Sequence, residues 1–269
     1  PESEQSTGTG WAKTFGAERE DIVEGVGVDS TGNIYILSGY GGGFLTHASN
    51  PSLRKYSPDG VLEWTRPNAD TPISCLFVDD NGDSYVGGAR TTRSTPTGDS
   101  LYAATITRFT PGGDIDRMYT LGRNGKSSID AVYITDSGEI YMSGYFTETE
   151  DFDFGDGIYE LTPSSSMSAF VAMYTHDFEF LWAATWAGRY WVSGTSLEVD
   201  SDGGVYISGH MIEDEPERST PTYTPTNFDT VNSYVRKFTW DGNPEWAYVF
   251  ENPSQCFLPS MTLDNSGSI

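Results

Sequence analysis

Five carboxylates crowd one short stretch of this chain, Glu148, Glu150, Asp151, Asp153 and Asp156, interleaved with Phe152, Phe154, Gly155 and Gly157. Acids at near-alternate positions with glycines among them suit a hard cation, since Ca2+ collects about six to eight oxygens. Glu150, Asp151, Asp153 and Asp156 are therefore the candidate ligands, and Ca2+ is the one cofactor the residues suggest. The order Asp-Phe-Asp-Phe-Gly-Asp-Gly is not that of an EF-hand loop and lacks its final glutamate. The competing use is structural, with the two phenylalanines packed and the aspartates closing turns. Asp200-Ser201-Asp202-Gly203 also has calcium-like acids, but its counterparts elsewhere in the chain lack them, which favours a turn.

A second group of residues suits binding. Trp186, Tyr190 and Trp191 cluster in one connection, where exposed rings would stack on a sugar or grip a protein and buried rings would serve packing. Of His47, His176 and His210, which fall at non-equivalent places, His210 is the one placed to join a site. Glu213, Asp214, Glu215 and Glu217 form an acidic run ahead of a Pro/Thr-rich stretch, too polar to bury. No G-x-S-x-G, H-E-x-x-H or P-loop pattern occurs, so no catalytic residue is assigned.

The elements that must hold these residues repeat. Val28-Asp29-Ser30-Thr31-Gly32-Asn33-Ile34-Tyr35 returns as Val78–Tyr85, Ile134–Tyr141 and Val199–Tyr206, and a fifth copy runs over Leu263–Ile269. The shared glycines, Gly32, Gly82, Gly138, Gly203 and Gly267, are 50, 56, 65 and 64 residues apart. Each repeat divides into four strands. A first apolar run meets a tight Asp/Asn/Ser/Gly turn of hairpin type, and the second strand ends in glycine. After a variable loop, a third strand ends in an aromatic, a turn such as Ser57-Pro58-Asp59-Gly60 follows, and the fourth strand carries Trp64, Met118, Trp182 or Trp246. Repeats of this length predict an all-β protein, a β-propeller of four-stranded antiparallel blades. Residues 1–9 read as a tail and residues 10–269 as the propeller domain. Gly10-Trp11-Ala12-Lys13-Thr14 resembles a fourth strand without its first three, suited to closing a last blade. Four full repeats, that closing strand and a truncated fifth repeat lead us to expect a piece of a longer protein with six or seven blades.

Length varies mainly between second and third strands, over about 40–52, 89–103, 145–168 and 210–232. In a propeller these loops share a face with the blade-to-blade connections, and loop insertions on one face often mark a binding surface. Drift at a tolerant position would give the same variation.

The blocks Phe170-Val171-Ala172-Met173-Tyr174 through Phe180-Leu181-Trp182-Ala183, Gly144-Tyr145-Phe146 through Asp151-Phe152-Asp153-Phe154-Gly155, and Val235–Trp246 carry a family likeness. The chain resembles the bacterial SBBP-type β-propeller repeat from Trp11 onward. That resemblance implies a secreted or cell-surface bacterial protein with a processed N-terminus, and it brings no catalytic residues. The second repeat departs most, with Met118-Tyr119 where Trp is expected.

Charge narrows the partners. Against 39 acidic residues stand 15 basic ones, a formal net charge of −24, which repels phosphate backbones and anionic lipid surfaces. Nucleic acid is excluded as a partner, and membrane insertion is not expected because no 18-residue apolar run exists. Cys75 and Cys256 occupy different positions in repeats three apart, which favours two buried thiols over a bridge. The function expected is a binding or structural scaffold for a protein or glycan through the variable-loop face, with membership of a larger assembly as one form of it. A carbohydrate-active hydrolase or lyase is the alternative, as is a subunit of an extracellular filament, since propeller enzymes build sites from scattered residues. If the Asp151–Asp156 segment holds Ca2+, a chelator lowers the melting temperature and added Ca2+ restores it in proportion to RT ln(1 + [L]/Kd). An unchanged melting curve leaves the structural use of those acids.

Overall fold

The computed structural model describes residues 3–7, 10–14, 21–40, 49–67, 73–94, 100–122, 125–188, 191–212, 231–250, 260–264 and 267–269. Its regular structure is all strand, with no helix among the described residues. The chain divides into two compact units, Pro1–Thr120 and Leu121–Ile269.

The first unit opens with β1 (Ser3–Thr7), paired antiparallel with β2 (Gly10–Thr14). Where the sequence predicts a tail, the chain forms a strand. A polar composition does not prevent this, because ladder hydrogen bonds come from the backbone. The next two sheets are blades. The first is β3 (Asp21–Val28), β4 (Ile34–Tyr40), β5 (Ser49–Tyr56) and β6 (Leu62–Pro67), and the second is β7 (Ile73–Val78), β8 (Ser84–Ser94), β9 (Ser100–Phe109) and β10 (Ile115–Leu121). The second unit repeats the plan. Its first blade is β11 (Ser127–Ile134), β12 (Ile140–Phe146), β15 (Ser168–Tyr174) and β16 (Phe180–Trp186), with a small ladder of β13 (Glu150–Asp151) and β14 (Glu160–Leu161) inserted between its second and third strands. Its second blade is β17 (Trp191–Val199), β18 (Val205–Ile212), β19 (Val231–Phe238) and β20 (Pro244–Phe250). Every blade is an antiparallel meander in chain order, as expected for a β-propeller.

Neighbouring blades within a unit touch through their first strands, β3 on β7 and β11 on β17. Each first strand carries one bulged residue: Glu24, Ser74, Asp130 and Thr195 are skipped by the ladder to the second strand. The bulge explains the glycine late in the second strand. Gly144 and Gly209 lie opposite it, and a Cβ on either would strike the carbonyl oxygen of Ser128 or Ser193. The core of the second unit runs through both blades, from Ala131, Tyr141 and Val171 to Leu197, Ile207, Tyr234 and Phe238. Tyr35, Leu37, Leu53, Val86 and Phe109 make its counterpart in the first.

A second contact recurs in both units. Trp64 Nε1 donates to the Pro111 carbonyl at 3.1 Å, and Trp182 Nε1 donates to the Trp240 carbonyl at 3.0 Å. In each case an outer-strand indole of one blade caps the third-to-fourth turn of the next. The ring lies on the last residue of that turn, Gly113 or Gly242, and a Cβ at Gly242 would come within 2.6 Å of Trp182. Gly242 also has φ +83°, a region that disfavours side chains.

The second repeat corrects a sequence expectation. Counted from the turn, the tryptophan lies four residues beyond the positive-φ position, as Trp64 does after Gly60, Trp182 after Phe178 and Trp246 after Gly242. The same count from Gly113 gives Arg117 rather than Met118. Met118 is exposed and one residue out of phase, which turns it to the other face of β10. Along the chain, this strand without tryptophan is followed by the one such turn without glycine, where Phe178 adopts φ 63°. Of the two cysteines, Cys75 is half-buried on β7, and Cys256 lies outside the described residues.

The indole contact makes a measurable claim. Trp182→Ala removes a packed ring and a hydrogen bond, with an expected loss of about 2–3 kcal/mol in chemical denaturation. Gly242→Ala destabilises through the same contact, so the double variant loses less than the sum of the two. Met118→Ala stays within about 0.5 kcal/mol of the parent.

Candidate functional site

The first-to-second turns owe their shape to one side chain each. Asp200 Oδ1 accepts the backbone N–H groups of Asp202 at 2.9 Å and Gly204 at 2.7 Å, and its Oδ2 accepts the Tyr206 hydroxyl at 3.0 Å. Asp29 and Asp79 close their turns through the same backbone bonds. Thr135 takes that position in the third repeat, and there the Thr135 and Ser137 hydroxyls both donate to Glu139 Oε2. In Asp200-Ser201-Asp202-Gly203 the first acid thus forms the turn, as the sequence suggests.

In the second unit three such turns, from the third, fourth and fifth repeats, border a cavity of about 690 Å3. Five carboxylates are among its lining residues: Asp136, Glu139, Glu198, Asp200 and Asp264. The phenols of Tyr133 and Tyr141 and the thioether of Met173 form part of its wall. Glu139 is held below the usual carboxylate range by the Ser137 and Thr135 hydroxyls. Burial alone would raise Asp200, but the Gly204 N–H, the Tyr206 hydroxyl and the Asp202 N–H outweigh it, helped by the charge of Lys237, and lower it. Burial raises Glu198. It also raises Tyr133, to which the charges of Glu198 and Asp136 add, and pushes Tyr141 up to about 12 with Glu139 contributing. At neutral pH the cavity therefore holds fixed negative charge beside neutral phenol rings. That combination has the chemistry to pair with an ammonium or guanidinium group, by ion pairing and ring-face attraction. The sequence hides it because the turns read singly as structural and come together only in the fold.

The residues singled out from sequence meet different fates. Asp151 Oδ1 accepts the N–H groups of Asp153 at 3.1 Å and Tyr159 at 2.8 Å, and Asp153 Oδ1 accepts that of Gly155 at 2.8 Å. Phe152 is buried between Phe146 and Phe170, and Phe154 stacks on Tyr174 at 4.9 Å. The segment therefore packs its rings and closes its turns with its acids. Asp156 is exposed, and Glu150 points away from Asp151 because successive strand residues face opposite sides. Among the described residues, no three His, Cys, Asp or Glu side chains are grouped to hold a metal ion.

Trp186 is a correction to the binding-face reading. It is 6% exposed and packed on Phe238 at 5.4 Å and Tyr234 at 6.1 Å, with the Arg236 guanidinium over its ring. Trp191 and His210 do come together, half-buried, with ring centroids 4.9 Å apart. Burial lowers the His210 pKa, against the opposing charge of Asp130. Asp130, the bulged residue of β11, accepts hydroxyls from Ser128 and Ser193, both at 2.7 Å, and so ties the two blades of this unit. Tyr190, Glu213, Asp214, Glu215 and Glu217 lie outside the described residues.

No family model matches the chain, and no curated protein does. Among solved structures it is similar to the Pan2 WD40 domain of Neurospora crassa, with 12% identity, a TM-score of 0.37, and coverage of 91% of this chain and 83% of that one. It is also similar to the Dos1 propeller, with 10% identity, a TM-score of 0.37, and coverage of 91% and 73%. The propeller architecture itself rests on the strand order and register of the four blades.

Glu150 yields a pH prediction. Its carboxyl is 3% exposed and fills the space a Cβ would need at Gly122, and its Oε1 has no hydrogen bond among the described residues. Burial, with the Glu148 charge adding, pushes its pKa up to about 7 from 4.5. The folded chain therefore keeps a proton that the unfolded chain releases, and stability held below pH 4.5 is lost as pH rises to about 7. Integrated over that window the loss is about 2–3 kcal/mol. Glu150→Gln removes it, so denaturant midpoints of variant and parent coincide near the acid end of the window and the variant is the more stable above it. Equal midpoints throughout would mean that the carboxyl is paired when ionised.

Proposed function

We propose that this protein is a non-catalytic interaction scaffold that binds a protein partner by taking a lysine or arginine side chain into the acidic, tyrosine-walled cavity of its second unit. One observation carries this reading: a cavity of about 690 Å3 lined by five carboxylates, two of them, Glu139 and Asp200, held in the ionised form by hydrogen bonds. The net charge of −24 favours the same class of partner, because it speeds encounter with a basic surface and repels acidic ones. The likeness to the SBBP-type repeat supports placing the scaffold outside a bacterial cell or on its surface, alone or within a larger assembly. Glycan binding is the second reading, supported by the half-buried Trp191 ring beside His210.

Fluorescence anisotropy with basic peptides and their Lys/Arg→Gln counterparts tests the proposal. We expect the basic forms to bind and the neutral forms to fail. Glu139→Gln with Glu198→Gln should weaken binding about tenfold or more, since each close charge pair contributes about 1–3 kcal/mol. Raising salt well above the physiological range should weaken it further. Equal binding of neutral and basic peptides, or no response to the two substitutions, overturns the reading.

A further inference from the structure

The third blade breaks a motif that the other three share. On the second strand of each blade stands a tyrosine, Tyr35, Tyr85, Tyr141 or Tyr206, and its ladder partner on the third strand is Lys55, Arg108, Met173 or Lys237. Lys55 Nζ lies 5.4 Å from the centre of the Tyr35 ring and 3.2 Å from Glu63. Lys237 Nζ lies 5.1 Å from the centre of the Tyr206 ring and 3.1 Å from Glu245. Arg108 pairs in turn with Asp116 of its own fourth strand. The tyrosine hydroxyl donates to the acid of the first turn, Tyr35 to Asp29 at 3.2 Å and Tyr206 to Asp200 at 3.0 Å. Such a blade supplies ring, acid and cation from its own strands. In the third blade Met173 stands in place of the cation, and Leu181 stands three residues beyond the positive-φ position, where the others have Glu63, Asp116 and Glu245. The ring remains as Tyr141, and the turn keeps an acid as Glu139, whose charge acts on the Tyr141 hydroxyl. Among the described residues, no lysine or arginine pairs with Glu139 or Glu198.

The space beside the motif differs in the same way. In the first unit the next blade closes on it: a Cβ at Gly82 would come within 2.6 Å of the Tyr35 hydroxyl and 3.1 Å of Asp29 Oδ2, and Lys55 Nζ donates to the Pro111 carbonyl at 3.4 Å. Gly203 is the equivalent of Gly82 in the second unit, and the atoms nearest to a Cβ there all belong to Trp240 of its own blade. Tyr141, Met173 and Glu139 instead line the cavity, together with Glu198 and Asp200 of the next blade.

We propose that the cavity is the vacated place of a blade's internal cation, and that a partner's lysine restores it by laying its ammonium over the Tyr141 ring beside Glu139, as Lys55 and Lys237 lie over their own tyrosines. The inference rests on the reading of this cavity as the site for a basic partner, and adds where the cation goes and which residue makes room for it. Met173 is the specificity-determining residue. Its unbranched apolar chain offers contact to the methylenes of a lysine and brings no charge of its own. A lysine at that position would fill the place from within and repel the partner's ammonium.

The test compares Met173→Lys with Met173→Leu, using a lysine peptide in the anisotropy assay. The lysine variant should weaken binding about tenfold or more, because a like charge then stands where the ligand's ammonium must go. The leucine variant should stay within about twofold of the parent, since it keeps volume and apolar character. A second measurement does not depend on the lysine variant folding. With the six methionines of the parent labelled at their methyl carbons, the Met173 signal is identified by its loss in Met173→Leu. The lysine peptide should shift that signal saturably, over the same concentrations that raise the anisotropy, and its Lys→Gln counterpart should leave it in place. If the lysine peptide binds but the Met173 signal stays still, or a folded Met173→Lys chain binds it as the parent does, this inference alone falls and the basic-partner reading stands. If the lysine peptide does not bind the parent at all, both fall.

Discussion

A four-stranded blade with apolar side chains on both faces is not a stable object alone, and everything else here follows from how the two blades of each unit are joined. The join has two parts. First strands pack side by side near the bulges, and an outer-strand tryptophan reaches across to the following blade's turn. An indole suits the second task because it combines a broad apolar face with one N–H donor. The face covers a glycine, and the donor pairs with a carbonyl of the turn beside it. Trp64 with Pro111 and Gly113, and Trp182 with Trp240 and Gly242, solve the problem identically in separate units. Repetition of one local solution lets a chain with few basic residues and little cysteine hold its sheets together.

The parts of this fold visible in the sequence are those set by short-range chemistry. Turn glycines, the Asp that closes each hairpin and the outer tryptophans all lie within a few residues of what they organise. Phase and distance are less visible. Met118 has the size of an outer-strand anchor, but the turn sets the count and gives Arg117. Trp186 looks available in a connection, yet it ends β16 and faces the next blade. Residues 3–7 have no apolar face to announce them, and backbone pairing alone makes them a strand. The acidic run from Glu150 to Asp156 suggests convergence, but an extended chain sends neighbours to opposite sides, and one oxygen each of Asp151 and Asp153 closes a turn.

The cavity of the second unit lay beyond sequence reading for the opposite reason. Its walls come from turns about a repeat apart, each with a sufficient local explanation. Asp200 does two jobs with one carboxylate: its hydrogen bonds shape the turn, and the same bonds keep it charged where the turns meet. A residue needed for folding thus furnishes the electrostatics of the candidate site.

The bulge in each first strand has a consequence of another kind. Because two residues of the bulged strand stand against one on its partner, the residue passed over belongs to no ladder position, and the alternation of faces shifts by one residue across it. Glu24, Ser74, Asp130 and Thr195 occupy that place, four different chemistries on one backbone. Each blade therefore has one position off the ladder whose side chain differs from blade to blade, and in the third blade Asp130 uses it to bond Ser193 of the next. A duplicated blade starts as a copy, and at this position it acquires its own letter, so that identical architecture can carry a distinct text from blade to blade.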